Sequence, residues 1–455
     1  MRSLLVSSAS VTAAVLALPL AGPALASPAG TPAAHTVTHY PDPPTDRRTD
    51  PHAVRPPAAA PGAPRSEGAV PGSTQSLALT PLPDDRSTGV SPGEGVERRE
   101  VRPFSLAGVV WDDPSRELNA RVELRTRDAA TGKWGAWRQL NTHDAEHAAD
   151  RDSAESRSPA LRGSTAPVWV GASDAVELKV TREATDAPLP KGLHLELVDP
   201  GEAPAGQTPR TADPDTGPGT DPGADGAALP ALDQAATERE ARAQGAEGVT
   251  SGEAHIGPRP RIVTRAGWGA DEDLREQEFS YTNTVKAAFV HHTAEGNDYT
   301  CEQAPSVIRG IYRFHVESSG WRDIGYNFLV DKCGNVYEGR AGGVDKPVMG
   351  AHTLGFNTDS TGIAVLGTYT ETEPSAAALD AVAALTAWKL GLHGRDPQGK
   401  VTLVSDGGNL YEKGESVSMN VISGHRDGFS TECPGERLYR KLGTIRTKAA
   451  ALQGR

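Results

Sequence analysis

Beyond an apolar run at its extreme N-terminus, this 455-residue chain gathers its large apolar residues in two blocks, about 101–198 and 258–455, and the other stretches are rich in Pro, Gly, Ala and Asp. A stretch without large apolar side chains cannot bury enough surface to offset the entropy of ordering its backbone. Length alone suggests about three domains at roughly 150 residues each, but the 49 Gly and 36 Pro, so unevenly placed, reduce that to two folded units. Residues 27–98 are expected to be disordered and residues 201–258 to form a flexible acidic linker, in which 235–246 could make a short charged helix.

The extreme N-terminus reads Met1, Arg2, an apolar run from Leu4 to Leu20, and a small-residue ending at Ala24, Leu25 and Ala26. This is the pattern of a secretory signal peptide over residues 1–26, cleaved after Ala26. A membrane anchor is the competing reading because the run approaches the ~20 residues a bilayer needs. Ser7, Ser8, Ser10 and Thr12 interrupt it, and Pro19 and Pro23 follow. No later segment is apolar enough to span a membrane, so the mature protein is expected to be secreted, free or associated with a cell wall. The net charge is -13, yet residues 259–455 carry 22 Lys+Arg against 24 Asp+Glu, so the acidity lies in the N-terminal part. No basic stripe of the kind nucleic-acid binding requires is present. A monomer is the expectation.

Between 99 and 200 the pattern becomes short alternating runs: Phe104–Trp111, Ala120–Thr126, Val168–Val170, Val176–Val180 and Leu193–Val198. Period-two alternation bounded by turn residues predicts a small antiparallel β domain. Its role is not legible. Trp134 and Trp137 could stack on sugar rings, or serve as core or edge aromatics. In the unit 259–455, Ala287–His291 predicts a buried strand, 304–317 an amphipathic helix, Asn327–Asp331 and Val336–Glu338 a hairpin, Gly362–Gly367 another buried strand, and Ser375–Leu392 a long helix after Pro374. Alternating strands and helices give an α/β class, with a central mixed β-sheet flanked by helices.

Three cysteines, Cys301, Cys333 and Cys433, leave one over in a chain that should mature in an oxidising place. His291 ends an apolar strand, and His425 precedes Cys433 by eight residues. Two imidazoles and a thiolate make a three-ligand zinc set with a fourth position open. A buried cysteine and two hydrogen-bonded histidines would give the same letters.

The surrounding words are more specific. Arg265–Ala270, Val290–Ala294, Gly320–Leu329, Val336–Arg340, Gly350–Asn357, and Gly424–Asp427 through Cys433–Gly435 stand in the order seen in peptidoglycan recognition proteins and phage-lysozyme-type zinc N-acetylmuramoyl-L-alanine amidases, a resemblance covering about residues 259–450. It implies a central mixed sheet with a groove for a muramyl peptide. His291, His425 and Cys433 are implied as zinc ligands, with His292 the competitor for the first place; adjacent side chains alternate along a strand, so only one can face the groove. Tyr326 matches the catalytic tyrosine, and Thr431 stands where phage enzymes carry lysine, a neutral hydroxyl in place of a cation. His315, Trp321, Arg340, His352 and Asn357 resemble groove residues, Arg340 as the cation for stem carboxylates and His352 also as a spare ligand. On the same resemblance Cys301 and Cys333 form a disulfide. The implied activity is hydrolysis of the amide between the muramyl lactyl group and L-alanine of peptidoglycan. A non-catalytic peptidoglycan receptor on the same fold is the alternative, and a wall-binding role for the β domain a third reading.

Overall fold

The structure is a computed structural model, and it describes residues 72–82, 93–142, 145–182, 188–202, 226–249 and 254–455. The expected signal peptide and most of the expected disordered segment lie outside the described residues. Both folded parts belong to one compact unit, Pro64–Arg455. Among the described residues, no helix is long and apolar enough to cross a membrane.

The N-terminal part is all β. Its sheet runs in the order Ser73–Ala78, His194–Asp199, Glu94–Trp111, Val168–Arg182, Ala120–Asp128, Arg138–Leu140, and each neighbouring pair is antiparallel. Val176, Leu178 and Val180 alternate into a core with Val109, Val122, Leu124, Leu195 and Leu197, the period-two burial of one face of a pleated sheet. Two boundaries differ from the sequence reading. The runs at 168–170 and 176–180 are one strand, Val168–Arg182, turned at Gly171 with φ 72°. The Phe104 run is likewise the end of Glu94–Trp111, whose first half is charged and therefore gave no apolar signal. The strand Ser73–Ala78 falls inside the segment expected to be disordered. It is an edge strand in full register with His194–Asp199, held by backbone pairing, by polar side chains such as Ser76, whose hydroxyl donates to Glu196 at 2.7 Å, and by one packed apolar side chain, Leu77. Trp134 and Trp137 are half-buried under cations, Arg98 at 4.6 Å and Lys179 at 4.7 Å from the respective rings, which agrees with edge aromatics.

The C-terminal part is a seven-stranded mixed sheet in the order Ile422–Gly424, Ala287–His292, Ser360–Val365, Phe328–Val330, Val336–Glu338, Ile262–Val263, Ala228–Leu229. The hairpin at 328–338 is present as expected. Strand parity sorts the layers: Ala288, Val290, Phe328, Val330, Ile363 and Val365 pack with helices Ala376–Leu392 and Leu442–Leu452, while Leu329, Ala364 and Tyr337 face helix Ala304–Arg313. Ser375 caps the long helix, its hydroxyl accepting from the Ala378 N–H at 3.0 Å. The folded part begins earlier than residue 259. Ala228–Leu229 adds an antiparallel edge strand, and helix Gln234–Ala243, capped by Asp233, docks through Ala241 and an Arg259–Glu240 ion pair at 2.6 Å. That helix is the short charged one anticipated at 235–246; it buries little besides Ala241 and Thr237, so the segment around it reads as linker. The disulfide Cys301–Cys333, with Cα atoms 6.2 Å apart, ties the start of helix Ala304–Arg313 to the hairpin turn.

The two parts share a core. Leu106, Val110, Trp169 and Val198 of the β part pack with Val307, Ile308, Ile311 and Phe314. At Gly108 an added Cβ would stand 2.5 Å from the Phe314 ring, so the helix sits directly on the sheet backbone there.

Candidate metal centre

Sheet register builds the site. Ala287–His292 and Ile422–Gly424 run parallel with Val290 opposite Gly424, so the next residue on each, His291 and His425, emerges on the same face. Their ring centroids lie 4.6 Å apart. The chain then loops back to bring Cys433 Sγ to 3.7 Å from His291 Nδ1, and the thiol accepts a 3.4 Å bond from the His292 N–H. His292 points elsewhere: its Nδ1 accepts from the Tyr369 N–H at 3.3 Å, so that lone pair is already used.

A fourth donor comes from the other part of the molecule. Donor atoms of His147, His291, His425 and Cys433 all lie within 4.8 Å of one another, and all four residues are buried. The His147 ring is 4.6 Å from His425, 5.5 Å from His291 and 5.7 Å from Tyr326. The donor chemistry fits zinc, three imidazoles and one thiol. His425 Nε2 lies 3.1 Å from the Glu146 carbonyl, which can only accept, so this nitrogen carries the proton and Nδ1 holds a bare lone pair. That Nδ1 is buried with no hydrogen-bond partner among the described residues, the condition expected of an atom meant for a metal. Thr353 Oγ1 lies 3.4 Å from His291 Nε2 and can accept from it, which leaves Nδ1, the nitrogen nearer Cys433, for a metal. Burial, and then each other's proximity, push His291 well below the ordinary histidine range. Burial and His147 do the same to His425. Both are neutral near pH 7, as ligation requires. Burial raises the Cys433 thiol; a cation beside the sulfur reverses that balance.

The other sequence-predicted residues surround this group. The Tyr326 ring is buried 5.6 Å from His291 and 6.0 Å from His315. His315 stacks on Trp321 at 4.3 Å, and its Nδ1 accepts from the Gly325 N–H at 3.2 Å. His352 lies outside the four-donor group. Its ring packs 5.2 Å from His291, and burial takes its pKa down to about 3. Asn357 Oδ1 accepts from the His352 and Thr353 N–H groups at 2.7 and 3.0 Å, fixing the turn that presents Thr353 to His291. Thr431 accepts from the Cys433 N–H at 3.0 Å and donates to Glu146 Oε1 at 2.6 Å. Arg340 is buried in a two-pronged pair with Glu155 at 2.7 and 2.9 Å. Burial works to raise the Glu155 pKa, but the Arg340 charge and bonds outweigh it and hold the carboxylate below its usual range.

Sequence reasoning missed Glu146, His147, Asp150 and Glu155. They lie in the 3-10 turns Ala145–His147 and Glu155–Arg157 and between them, in the β part. Nothing in their spacing ties them to a site more than 140 residues downstream; the one signal is a cluster of His, Asp and Glu within a β domain. A cavity of about 830 Å³ opens beside the site, bordered by Glu146, His292, Glu295 and Thr431.

Residues 281–436 match the family described as N-acetylmuramoyl-L-alanine amidase, and residues 57–215 match one described as Rv3811 N-terminal galactose-binding domain-like. The chain is 33% identical over 183 residues to peptidoglycan-recognition protein SC2 of Drosophila melanogaster, covering 40% of this chain and 85% of that protein. Human peptidoglycan recognition protein 3 is 31% identical over 186 residues, 41% of this chain and 46% of its own length. Wild-type Drosophila PGRP-LB is a similar solved structure, at 27% identity, 40% of this chain, 93% of that one and a TM-score of 0.33. These matches define a class of domain that comprises peptidoglycan-binding proteins and amidases. The chain belongs to the peptidoglycan recognition protein and N-acetylmuramoyl-L-alanine amidase family.

Proposed function

We propose that this protein is an exported, zinc-dependent N-acetylmuramoyl-L-alanine amidase that hydrolyses the bond between the muramyl lactyl group and L-alanine of peptidoglycan. The observation that carries the reading is the buried set His291, His425 and Cys433 with Tyr326 against it. His291, His425 and Cys433 would hold the zinc, which when bound would supply a Lewis acid for the scissile carbonyl and for an attacking water at neutral pH. Tyr326 is the hydroxyl donor to the oxygen that gains charge, and Thr431 a second, neutral donor. Thr353 and Asn357 are positioning residues that hold the His291 ring. Arg340 takes a carboxylate of the stem peptide, and the stacked His315 and Trp321 form a wall for sugar or lactyl atoms. His291, His425, Cys433 and Tyr326 are all present, which favours an enzyme over a receptor on the same fold.

Digestion of purified peptidoglycan is the test. New L-alanine amino termini without new reducing sugars are expected, abolished by orthophenanthroline and restored by zinc. New reducing ends, or full hydrolysis by metal-free protein, would overturn the reading. Tight wall binding with no hydrolysis by the chain or by the loop variants described next would leave a receptor.

A further inference from the structure

The loop 145–157 is built unlike a connection. Connecting loops run over the surface with their polar groups in water, whereas here Glu146, His147, Asp150 and Glu155 are 2–6% exposed. Buried charge is tolerated only with a partner, and each partner belongs to the groove of the C-terminal part. Asp150 Oδ1 accepts from the Gly355 N–H and from Asn357 Nδ2, both at 2.8 Å. The Glu146 carbonyl also accepts from the Leu354 N–H at 3.0 Å, and that of Ala148 from Asn357 Nδ2 at 3.0 Å. Glu155 takes two guanidinium nitrogens of Arg340 while Arg340 Nε donates to the Ile324 carbonyl at 2.9 Å, which leaves no face of that cation for another carboxylate.

Three features that an amide substrate needs are therefore taken at once by one short loop. The space beside His291, His425 and Tyr326 holds an imidazole, the Thr431 hydroxyl is engaged by Glu146, and the cation is matched by Glu155. We propose that residues 145–157 are an internal occupant of the muramyl-peptide groove, in which His147 is the fourth ligand of the metal and Glu155 sits in the carboxylate seat of Arg340, so that substrate is admitted only when the loop leaves. This rests on the reading of the groove as a muramyl-peptide site. It assigns the β part a function in the chemistry next to it, as a lid carrying a ligand and a carboxylate in place of the substrate's own groups.

Cobalt(II) in place of zinc gives a readout that does not depend on turnover. In the full chain, a site closed by three imidazoles and a thiolate should give an intense visible spectrum that azide does not alter. His147→Ala should open one position, and its spectrum should shift on adding azide. Calorimetry with N-acetylmuramyl tripeptide as the probe should show binding to His147→Ala and Glu155→Ala tighter than to the parent chain by roughly tenfold or more, because apparent affinity scales with the open fraction. Circular dichroism and melting curves check that each variant folds. His147→Ala leaves the Glu155–Arg340 pair in place, so it keeps the question answerable if loss of Glu155 unfolds the protein around Arg340. A parent spectrum that azide shifts as it does the variant's, failure to take up cobalt at all, or equal tripeptide binding by parent and His147→Ala overturns the proposal. Tighter tripeptide binding by both variants without hydrolysis by any form would sustain the loop assignment and remove the amidase reading.

Discussion

Glu295 offers a measurement whose size follows from burial set against a single hydrogen bond. Its side chain is fully buried next to the site; Oε1 accepts the Thr293 hydroxyl at 2.9 Å, and Oε2 has no partner among the described residues. Burial raises its pKa from 4.5 to about 8, opposed only by the Thr293 bond, so it is a neutral acid at pH 7. A carboxyl whose folded pKa lies above its unfolded one favours the folded state fully below the unfolded value, and that contribution is lost as pH rises through the folded value. The rise corresponds to about 5 kcal/mol once both forms are ionised, and to about 3 kcal/mol at pH 7. Glu295→Gln keeps the shape and the acceptor for Thr293 but cannot ionise. Its stability relative to the parent should be near equal close to pH 4.5, higher by about 3 kcal/mol at pH 7, and higher by up to about 5 kcal/mol at pH 9. Urea unfolding followed by tryptophan fluorescence at those three pH values is the assay. A difference that stays flat with pH, or one that turns against the glutamine as pH rises, would refute the claim that Glu295 is held as a neutral acid.

Cys433→Ser should lose both zinc and hydrolysis, measured by metal analysis and amino-terminus release, because it removes a thiolate ligand. Tyr326→Phe should keep zinc near one per chain while turnover falls by about 10², the size typical of a lost oxyanion donor. His291→Ala should empty the metal site, whereas His292→Ala, which forfeits the bond from the Tyr369 N–H, should lower stability and retain the metal; the reverse pattern in metal analysis would mean the ligand was misassigned. Replacing Cys301 and Cys333 by serine should lower unfolding stability by about 3 to 4 kcal/mol for a separation of 32 residues, read as a fall in the melting temperature without loss of zinc.

What could be read from the sequence was what local pattern encodes. The apolar run into His291, the long capped helix after Pro374 and the alternation of strands with helices each follow from side-chain period, and the structure contains all three. The pairing of Val290 with Gly424 was not visible, because register between strands more than 130 residues apart has no local signature. The strands Ser73–Ala78 and Ala228–Leu229 were hidden for a related reason: edge strands that place few apolar side chains in a core carry almost no apolar signal, whereas the charged helix Gln234–Ala243 was anticipated from its composition. The largest miss, His147, is a docking result. A histidine between Glu146 and Ala148 in a β domain looks like a solvated turn until the neighbouring part of the molecule is folded against it.

The apolar seam of Leu106, Val110, Trp169 and Val198 on the helix Ala304–Arg313 has a consequence for processing of the protein. A protease that severs the chain between residues 202 and 226 removes a covalent tether and leaves the seam intact. The two pieces should therefore run separately on a denaturing gel yet elute together on a sizing column. A shortened chain made without the first piece would bare four large apolar neighbours' worth of greasy surface, and is expected to clump. A simple cut there would then be silent, and parting the two pieces would take a partner or surface that wedges into the seam or competes for it.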